Sequence, residues 1–77
     1  MIIEQIRTII ENNNIVSFKL YSLNYIVEKL NNNIYVIYST TSPKTKRYFD
    51  SFDDLITKYR IFGENISSNE SRIKNIK

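Results

Sequence analysis

The 77-residue chain contains no cysteine and no histidine, and it has only one glycine and one proline. The absence of cysteine excludes a disulfide scaffold, a zinc ribbon and a thiol nucleophile. The absence of histidine excludes an imidazole base and leaves carboxylates as the side chains that could bind a metal ion. A single glycine excludes the glycine-rich loops that bind phosphates and dinucleotides. We therefore expect a protein that is not an enzyme and uses no cofactor.

Four residue types supply close to half of the chain: 14 isoleucines, 10 asparagines, 7 lysines and 6 tyrosines. Their codons are rich in A and T, so this bias is typical of a low-GC genome. The isoleucines, with six tyrosines and four phenylalanines, are enough to form the core of one small domain. The formal net charge is +3, and most of this excess lies in residues 67–77.

The sequence shows no recognisable targeting or membrane-spanning segment. The first ten residues include Glu4 and Arg7 and no uninterrupted apolar stretch, unlike a signal peptide. No window approaches the ~20 apolar residues that a membrane span needs. We therefore expect a cytoplasmic protein.

Hydrophobic spacing predicts a helix near each end of the chain. Residues 2–11 place five isoleucines on one face, and the asparagine triplet 12–14 is typical of a helix end. In the second helix Ser51 is the predicted N-cap, and Gly63 is the predicted residue of the C-terminal cap. The apolar stripe of this helix consists of Phe52, Leu55, Ile56, Tyr59 and, as an extension, Phe62.

Between the helices, alternating apolar residues predict a three-stranded antiparallel meander and a short edge strand. The meander covers residues 15–21, 25–30 and 34–39, and the short strand covers 47–49. Residues 40–46, which include the proline, are expected to form an exposed connection.

The register of the hairpin around the second asparagine triplet is open. A three-residue loop pairs Leu30 with Ile34, whereas a two-residue loop pairs Lys29 with Ile34 and exchanges the two faces of the strand. We expect Val36 to point inside. The buried pair on the preceding strand is either Tyr25 with Val27 or Ile26 with Leu30.

This order of elements predicts an α+β fold of two layers, with both helices on one face of the antiparallel sheet. We expect one compact domain over residues 1–66 and a flexible basic tail over 67–77. The element order resembles that of very small phage and mobile-element products, including anti-CRISPR inhibitors, and of small proteins from low-GC bacteria. This likeness is general, and no motif transfers a site from those proteins.

If both helices cover one face, the opposite face of the sheet has no covering element. Alternation places four residues there: Ile15, Tyr21, Tyr35 and Ile37. An exposed apolar patch marks a partner site, and tyrosine is enriched in interfaces. We therefore expect a non-enzymatic interaction module that binds a protein partner or a second copy, such as an inhibitor or immunity-type factor of a mobile element. Burial of Tyr35 and Ile37 beneath the protein's own chain would remove this argument.

A second hypothesis is binding of single-stranded nucleic acid. Lys44, Lys46 and Arg47 run directly into Tyr48, and basic groups beside aromatic rings can follow a phosphate backbone while bases stack. The basic tail would add to this surface. The simpler interpretation of the same segment is an edge strand protected by its charges.

Asp50, Asp53 and Asp54 form the one tight group of carboxylates. Hard cations need several converging oxygens, which is the basis for a metal-site hypothesis here. The start of a helix explains the same residues through capping and interaction with the helix dipole. We therefore expect no metal site and no catalytic residue.

Overall fold

The computed structural model describes residues 2–77, except for the side chain of Pro43. The first helix and the four strands of the main sheet are α1 (Ile2–Asn13), β1 (Ile15–Leu20), β2 (Leu23–Lys29), β3 (Tyr35–Ser39) and β4 (Ser42–Phe49). They are followed by α2 (Phe52–Lys58), the short strands β5 (Arg60–Ile61) and β6 (Glu64–Asn65), and a 3-10 helix (Ser67–Arg72). The main sheet is an antiparallel meander in the order β1-β2-β3-β4, and β5 pairs with β6. The predicted α+β fold is confirmed.

Both helices lie on the same face of the main sheet. Tyr35 on β3 is contacted from both sides: its hydroxyl donates to Glu11 of α1 at 2.7 Å, and its ring meets Phe52 of α2 edge-on at 6.1 Å. The core cluster contains buried residues of both helices, together with Val16, Phe18 and Leu20 of β1 and Tyr25 and Val27 of β2. The core therefore lies between the helix layer and this face of the sheet.

Helix α1 is held by burial of its isoleucine stripe. Ile3, Ile6 and Ile10 are buried in the core. Burying each fully is worth roughly 1.5–3 kcal/mol, which matters because β-branched residues are mediocre helix formers. The helix ends where the asparagines predict, since Asn14 has a positive φ of 64° and its N–H donates to the carbonyl of Ile10 at 2.9 Å.

Helix α2 begins as predicted and ends earlier than predicted. The Ser51 side chain accepts a hydrogen bond from the N–H of Asp54 at 3.0 Å, which confirms the N-cap. After Lys58 the chain leaves the helical conformation at Tyr59, whose ψ is 123°. The last turns of the predicted stripe are therefore not helical.

Gly63 does not cap α2, and that prediction is wrong. Phe62 and Gly63 form the tight turn between β5 and β6, with φ values of 53° and 85°. This turn requires positive φ at both positions, which glycine adopts without strain. Phe62 is consequently 76% exposed instead of extending the buried stripe.

The β1–β2 turn lies at Tyr21 and Ser22, whereas the predicted strand bounds place it at residues 22–24. Tyr21 and Ser22 both have positive φ, 53° and 65°, as a two-residue turn of the favoured hairpin type requires. Because this turn usually contains asparagine or glycine, the sequence did not indicate it. The first strand therefore ends at Leu20, and β2 begins at Leu23.

The β2–β3 hairpin has the three-residue loop. Leu30 donates its N–H to the carbonyl of Ile34 at 2.8 Å, and Asn33 has a φ of 64°. Lys29 consequently pairs with Tyr35, which places Tyr25 and Val27 in the core.

This register turns Tyr35 and Ile37 toward the helices. They are 7% and 0% exposed, so the expectation that they face solvent is wrong. The reason is that β3 is apolar at successive positions, which leaves its inner side undetermined by alternation. Val36, expected in the core, points to the other face of the sheet.

Strand β4 is longer than predicted and begins at Ser42. The expected connection 40–46 is therefore mostly strand, joined to β3 by a two-residue turn. An edge strand tolerates the proline because its missing N–H need not join a neighbouring strand. The pairing with β3 also shifts between Ile37 and Ser39, so β4 contains an irregularity.

The predicted flexible tail is instead packed against the domain. Ile66 and Ile73 are buried in the core. Lys74 exchanges both backbone hydrogen bonds with Lys19 of β1, and the N–H of Lys77 donates to the carbonyl of Ser17. Residues 74–77 therefore cover the free edge of β1. The predicted division into a compact domain over 1–66 and a flexible tail over 67–77 is wrong.

Candidate functional site

The main sheet has one face turned away from both helices, which we call the open face. Strand register brings Ile15, Glu28, Val36 and Tyr48 into one row across the four strands. None of its apolar residues belongs to the core cluster of the described chain. The apolar residues of the open face are Ile15, Ile26, Leu30, Ile34, Val36, Tyr38 and Tyr48, and its polar residues include Ser17, Lys19, Asn24, Glu28 and Lys46.

Several apolar residues of the open face are substantially exposed. Tyr48 is 61% exposed and Ile15 is 47% exposed, and Leu30 is exposed as well. Val36 is buried although it lies outside the core, since Glu28 and Tyr48 flank it on the neighbouring strands. The open face is therefore an apolar surface with its own packed centre.

The four residues predicted to contact a partner do not come together. Ile15 lies on the open face and is exposed. Tyr21 is exposed in the β1–β2 turn, beyond the sheet. Tyr35 and Ile37 lie beneath the helices, where they can offer no contact surface. The apolar surface exists, but different residues form most of it.

Tyr35 has a structural role instead. Its hydroxyl and the ammonium of Lys29 donate to the two carboxylate oxygens of Glu11, at 2.7 and 2.8 Å. The Lys29 hydrogen bond, followed by that of Tyr35, lowers the pKa of Glu11. Burial, followed by the bond to Glu11, raises the pKa of Tyr35. These contacts tie the end of α1 to β2 and β3.

One polar cluster lies within the open face. The Tyr38 hydroxyl donates to Glu28 at 2.8 Å, and this bond raises the pKa of Tyr38. The ammonium of Lys46 lies 4.9 Å from the centre of the Tyr38 ring. The carboxylate and the cation are thus both engaged with the same tyrosine, which holds that ring in place.

The residues predicted to bind nucleic acid are divided between two faces. Lys46 and Tyr48 lie on the open face, whereas Arg47 pairs with Ile37 on the helix side. Arg47 there lines a cavity of about 280 Å³ together with Lys58 and Tyr59. The basic residues of the C-terminal segment lie at the opposite edge of the sheet, beside β1. Four strand spacings, about 19 Å, separate the two groups.

The aspartates at the start of α2 make local ion pairs. Asp53 accepts from Arg7 at 2.6 Å, and Asp54 lies 3.5 Å from Lys58 one turn later. Within residues 2–77 no group of three or more carboxylates converges as metal ligands would.

Sequence reasoning missed most of the open face because the hairpin register was open. The signal that could have found it is the second asparagine triplet, since Asn33 takes the positive φ of a three-residue loop. It also missed Asn69, which is fully buried (0% exposed). Nothing in the sequence distinguishes this asparagine from the other nine.

None of the helices in the described chain is long and apolar enough to cross a membrane. Comparison with protein-family models, with curated proteins and with solved structures gives no match.

Proposed function

We propose that this chain is a small non-enzymatic interaction module whose open face binds a protein partner. The observation that carries the proposal is an apolar face that no core contact explains: Tyr48 and Ile15 are both about half exposed or more, and neither belongs to the core. Monomeric proteins rarely expose large apolar patches without a use for them. Tyrosine is also frequent among the binding hot spots of protein interfaces.

The edges of the sheet are poor sites for strand addition, which favours the face. Residues 74–77 already cover the edge of β1. The opposite edge strand, β4, contains Lys44, Lys46 and a shift of register. Charges and irregularities on an edge strand are devices that prevent pairing with another chain.

The charges beside the open face indicate the chemistry of the partner. Lys46 and Lys19 lie near its two edges, and neither makes a salt bridge within the described residues. Glu28, the carboxylate of this face, is occupied by the Tyr38 hydroxyl. A partner with an apolar centre and carboxylates at its margin is complementary, whereas a second copy would set like charges against each other.

The size of the molecule is compatible with such an interface. A stable complex buries about 800 Å² on each partner, about one-sixth of the 4834 Å² surface of this chain. We propose that this binding takes place in the cytoplasm. A chain without cysteine forms no disulfides and therefore needs no oxidising compartment in order to fold. Occupation of a partner surface is also how inhibitors and immunity-type factors of mobile elements act, and the proposal includes that role.

The test is to map the binding of a captured partner onto the surface of the module. The partner would be isolated by affinity capture from cells that produce the chain, and its affinity measured for Ile15→Ser and Tyr48→Ser. We expect the dissociation constant to rise tenfold or more in each variant. It should also rise with salt concentration, because the margin is charged.

Phe62→Ser is the matched control, since it removes an exposed aromatic ring that lies outside the open face. Equal loss of affinity in this control, or unchanged affinity in both open-face variants, would refute the proposal. Sedimentation of the isolated chain supplies a further check. If the native chain sediments as a dimer and Tyr48→Ser sediments as a monomer, the occupant of the open face is a second copy of this chain and not another protein.

Binding of single-stranded nucleic acid is the second candidate. Tyr48 and Lys46 lie together on the open face, and Lys19 and Lys74 lie at its other edge. A strand that crossed this face could contact cations at both edges and stack on Tyr48. The aliphatic composition of the centre favours a protein, because isoleucine gives bases no stacking surface. A titration with oligonucleotides across a salt series separates the two candidates.

A further inference from the structure

A groove of about 480 Å³ lies between the β1–β2 turn and the C-terminal segment. We call it the basic groove, because three of its residues are cations and none is a carboxylate. Two serines and an asparagine supply further hydrogen-bonding groups. Its lining consists of Lys19, Tyr21, Ser22, Ser71, Arg72, Lys74 and Asn75.

The backbone forces two of these cations together. Lys19 and Lys74 exchange both of their backbone hydrogen bonds, at 2.7 and 2.9 Å. Residues paired in this way have Cβ atoms about 4.5–5.5 Å apart on one face of the sheet, and like charges directly opposite each other are destabilising. Neither lysine makes a salt bridge within the described residues. An anion bound between them would remove this repulsion.

The third cation, Arg72, is held in place by a buried amide. Its Nη1 donates to Oδ1 of Asn69 at 3.0 Å, and its guanidinium lies 6.0 Å from the ring of Tyr21. Asn69 is fully buried and also accepts a hydrogen bond from the Tyr21 hydroxyl, while its Nδ2 donates to the carbonyl of Asn65 at 2.9 Å.

Asn69 therefore joins both walls of the basic groove, the turn that contains Tyr21 and the segment that contains Arg72. Groups that are ordered before a ligand arrives lose little further freedom when they bind it. Arg72 is close to one carboxylate, Glu64, at 3.9 Å. That separation is beyond hydrogen-bond distance. Because a guanidinium has five N–H donors, Arg72 keeps donors with which it can bind a ligand.

We propose that the basic groove binds a phosphoryl group, carried by a free phosphate compound or by the phosphodiester of a nucleic acid. Arginine binds phosphate through two parallel hydrogen bonds, and lysine binds it as a point charge. Three cations in one groove suit a ligand that carries two or more negative charges better than they suit a ligand with a single carboxylate. The hydroxyls of Ser22 and Ser71 and the amide of Asn75 line the same groove and can donate to the remaining oxygens.

The test uses inorganic pyrophosphate and a short single-stranded oligonucleotide as probes, titrated into the full chain at low salt. Lys74→Gln should weaken binding of the probe tenfold or more. Lys77→Gln removes the same charge three residues further along, outside the groove lining, and should change the affinity less than twofold. Tyr48→Ser should bind the probe normally, so this result is independent of the proposal for the open face.

The thermal midpoint gives a second readout that does not depend on affinity alone. Without the probe, Lys74→Gln should melt at a higher temperature than the native chain, because it relieves the repulsion from Lys19. With pyrophosphate, the native chain should gain more stability than the variant.

The two probes identify the source of the phosphoryl group. Tighter binding of the oligonucleotide, lost in Lys74→Gln, assigns the groove to nucleic acid, and binding of pyrophosphate alone assigns it to free phosphate compounds. Absence of binding for both probes at low salt overturns the proposal. Equal weakening by Lys74→Gln and Lys77→Gln overturns it as well, since the attraction would then be general charge.

Discussion

Replacement of Asn69 by alanine tests whether the buried amide holds the C-terminal segment in place. Asn69 is fully buried and makes three hydrogen bonds, with the Tyr21 hydroxyl, Nη1 of Arg72 and the carbonyl of Asn65. A net contribution of about 1 kcal/mol for each bond is typical. The Tyr21 hydroxyl and the guanidinium can regain water because both residues are exposed, which reduces the loss, whereas the missing amide leaves a cavity that increases it.

We expect Asn69→Ala to lower the free energy of unfolding by about 3 kcal/mol. For a domain of this size each kcal/mol shifts the melting temperature by roughly 4–8 °C, so the midpoint should fall by about 12–24 °C. The measurement is urea and thermal unfolding followed by far-ultraviolet circular dichroism. The dependence on urea must stay unchanged for the comparison to report stability alone.

Ser71→Ala is the control for this measurement. Ser71 lies on the same 3-10 helix and is exposed, so its replacement should change stability by less than about 0.5 kcal/mol. A loss below about 1 kcal/mol in Asn69→Ala would show that burial of Ile66 and Ile73, and not the amide network, holds the segment. The basic groove would then not be ordered in advance by Asn69.

Two further predictions concern backbone strain and tyrosine ionisation. Ser22 has a φ of 65°, so Ser22→Gly should relieve about 1–2 kcal/mol of backbone strain and lose about 0.5–1 kcal/mol through the entropy of the unfolded chain. The net result should be a gain in stability of about 0.5–1 kcal/mol in urea titrations, and a decrease would contradict the assigned turn. The control is Ser71→Gly, which should lower stability because Ser71 has no positive φ. Burial raises the pKa values of Tyr25, Tyr35 and Tyr59, and the bond to Glu28 raises that of Tyr38. The unfolded chain therefore loses these protons first as pH rises. The contribution of the four tyrosines to stability should be constant below about pH 10 and should fall above it. Tyrosine ionisation followed by absorbance should accompany unfolding, and full ionisation of a still-folded chain would contradict this.

Much of the local structure followed from the order of the residues. The isoleucine stripe of α1 was predictable from its periodic spacing. The end of α1 at Asn14 and the cap at Ser51 depend on hydrogen bonds within three or four residues, and both were predictable as well. The α+β class followed from the spacing of apolar residues between the helices. These features need no knowledge of distant parts of the chain.

The faces of β3 could not be predicted in this way. Tyr35, Val36 and Ile37 are all apolar or aromatic, so either side of the strand satisfies burial. The positive φ of Asn33 and the pairing of Lys29 with Tyr35 decided the register. Because a shift of one residue exchanges the faces, the same decision placed Tyr38 and Tyr48 on the open face and hid the predicted contact residues.

The sequence alone determined that this chain has no cysteine thiol and no histidine imidazole to use in chemistry. Local spacing of apolar and capping residues determined where its helices begin. Only the tertiary structure decided that the basic tail packs against β1, that Asn69 is buried, and that Lys19 faces Lys74. These contacts join residues about fifty positions apart in the chain. Their energy depends on the simultaneous burial of Ile66 and Ile73 in a core formed by the rest of the domain, and no local pattern contains that information.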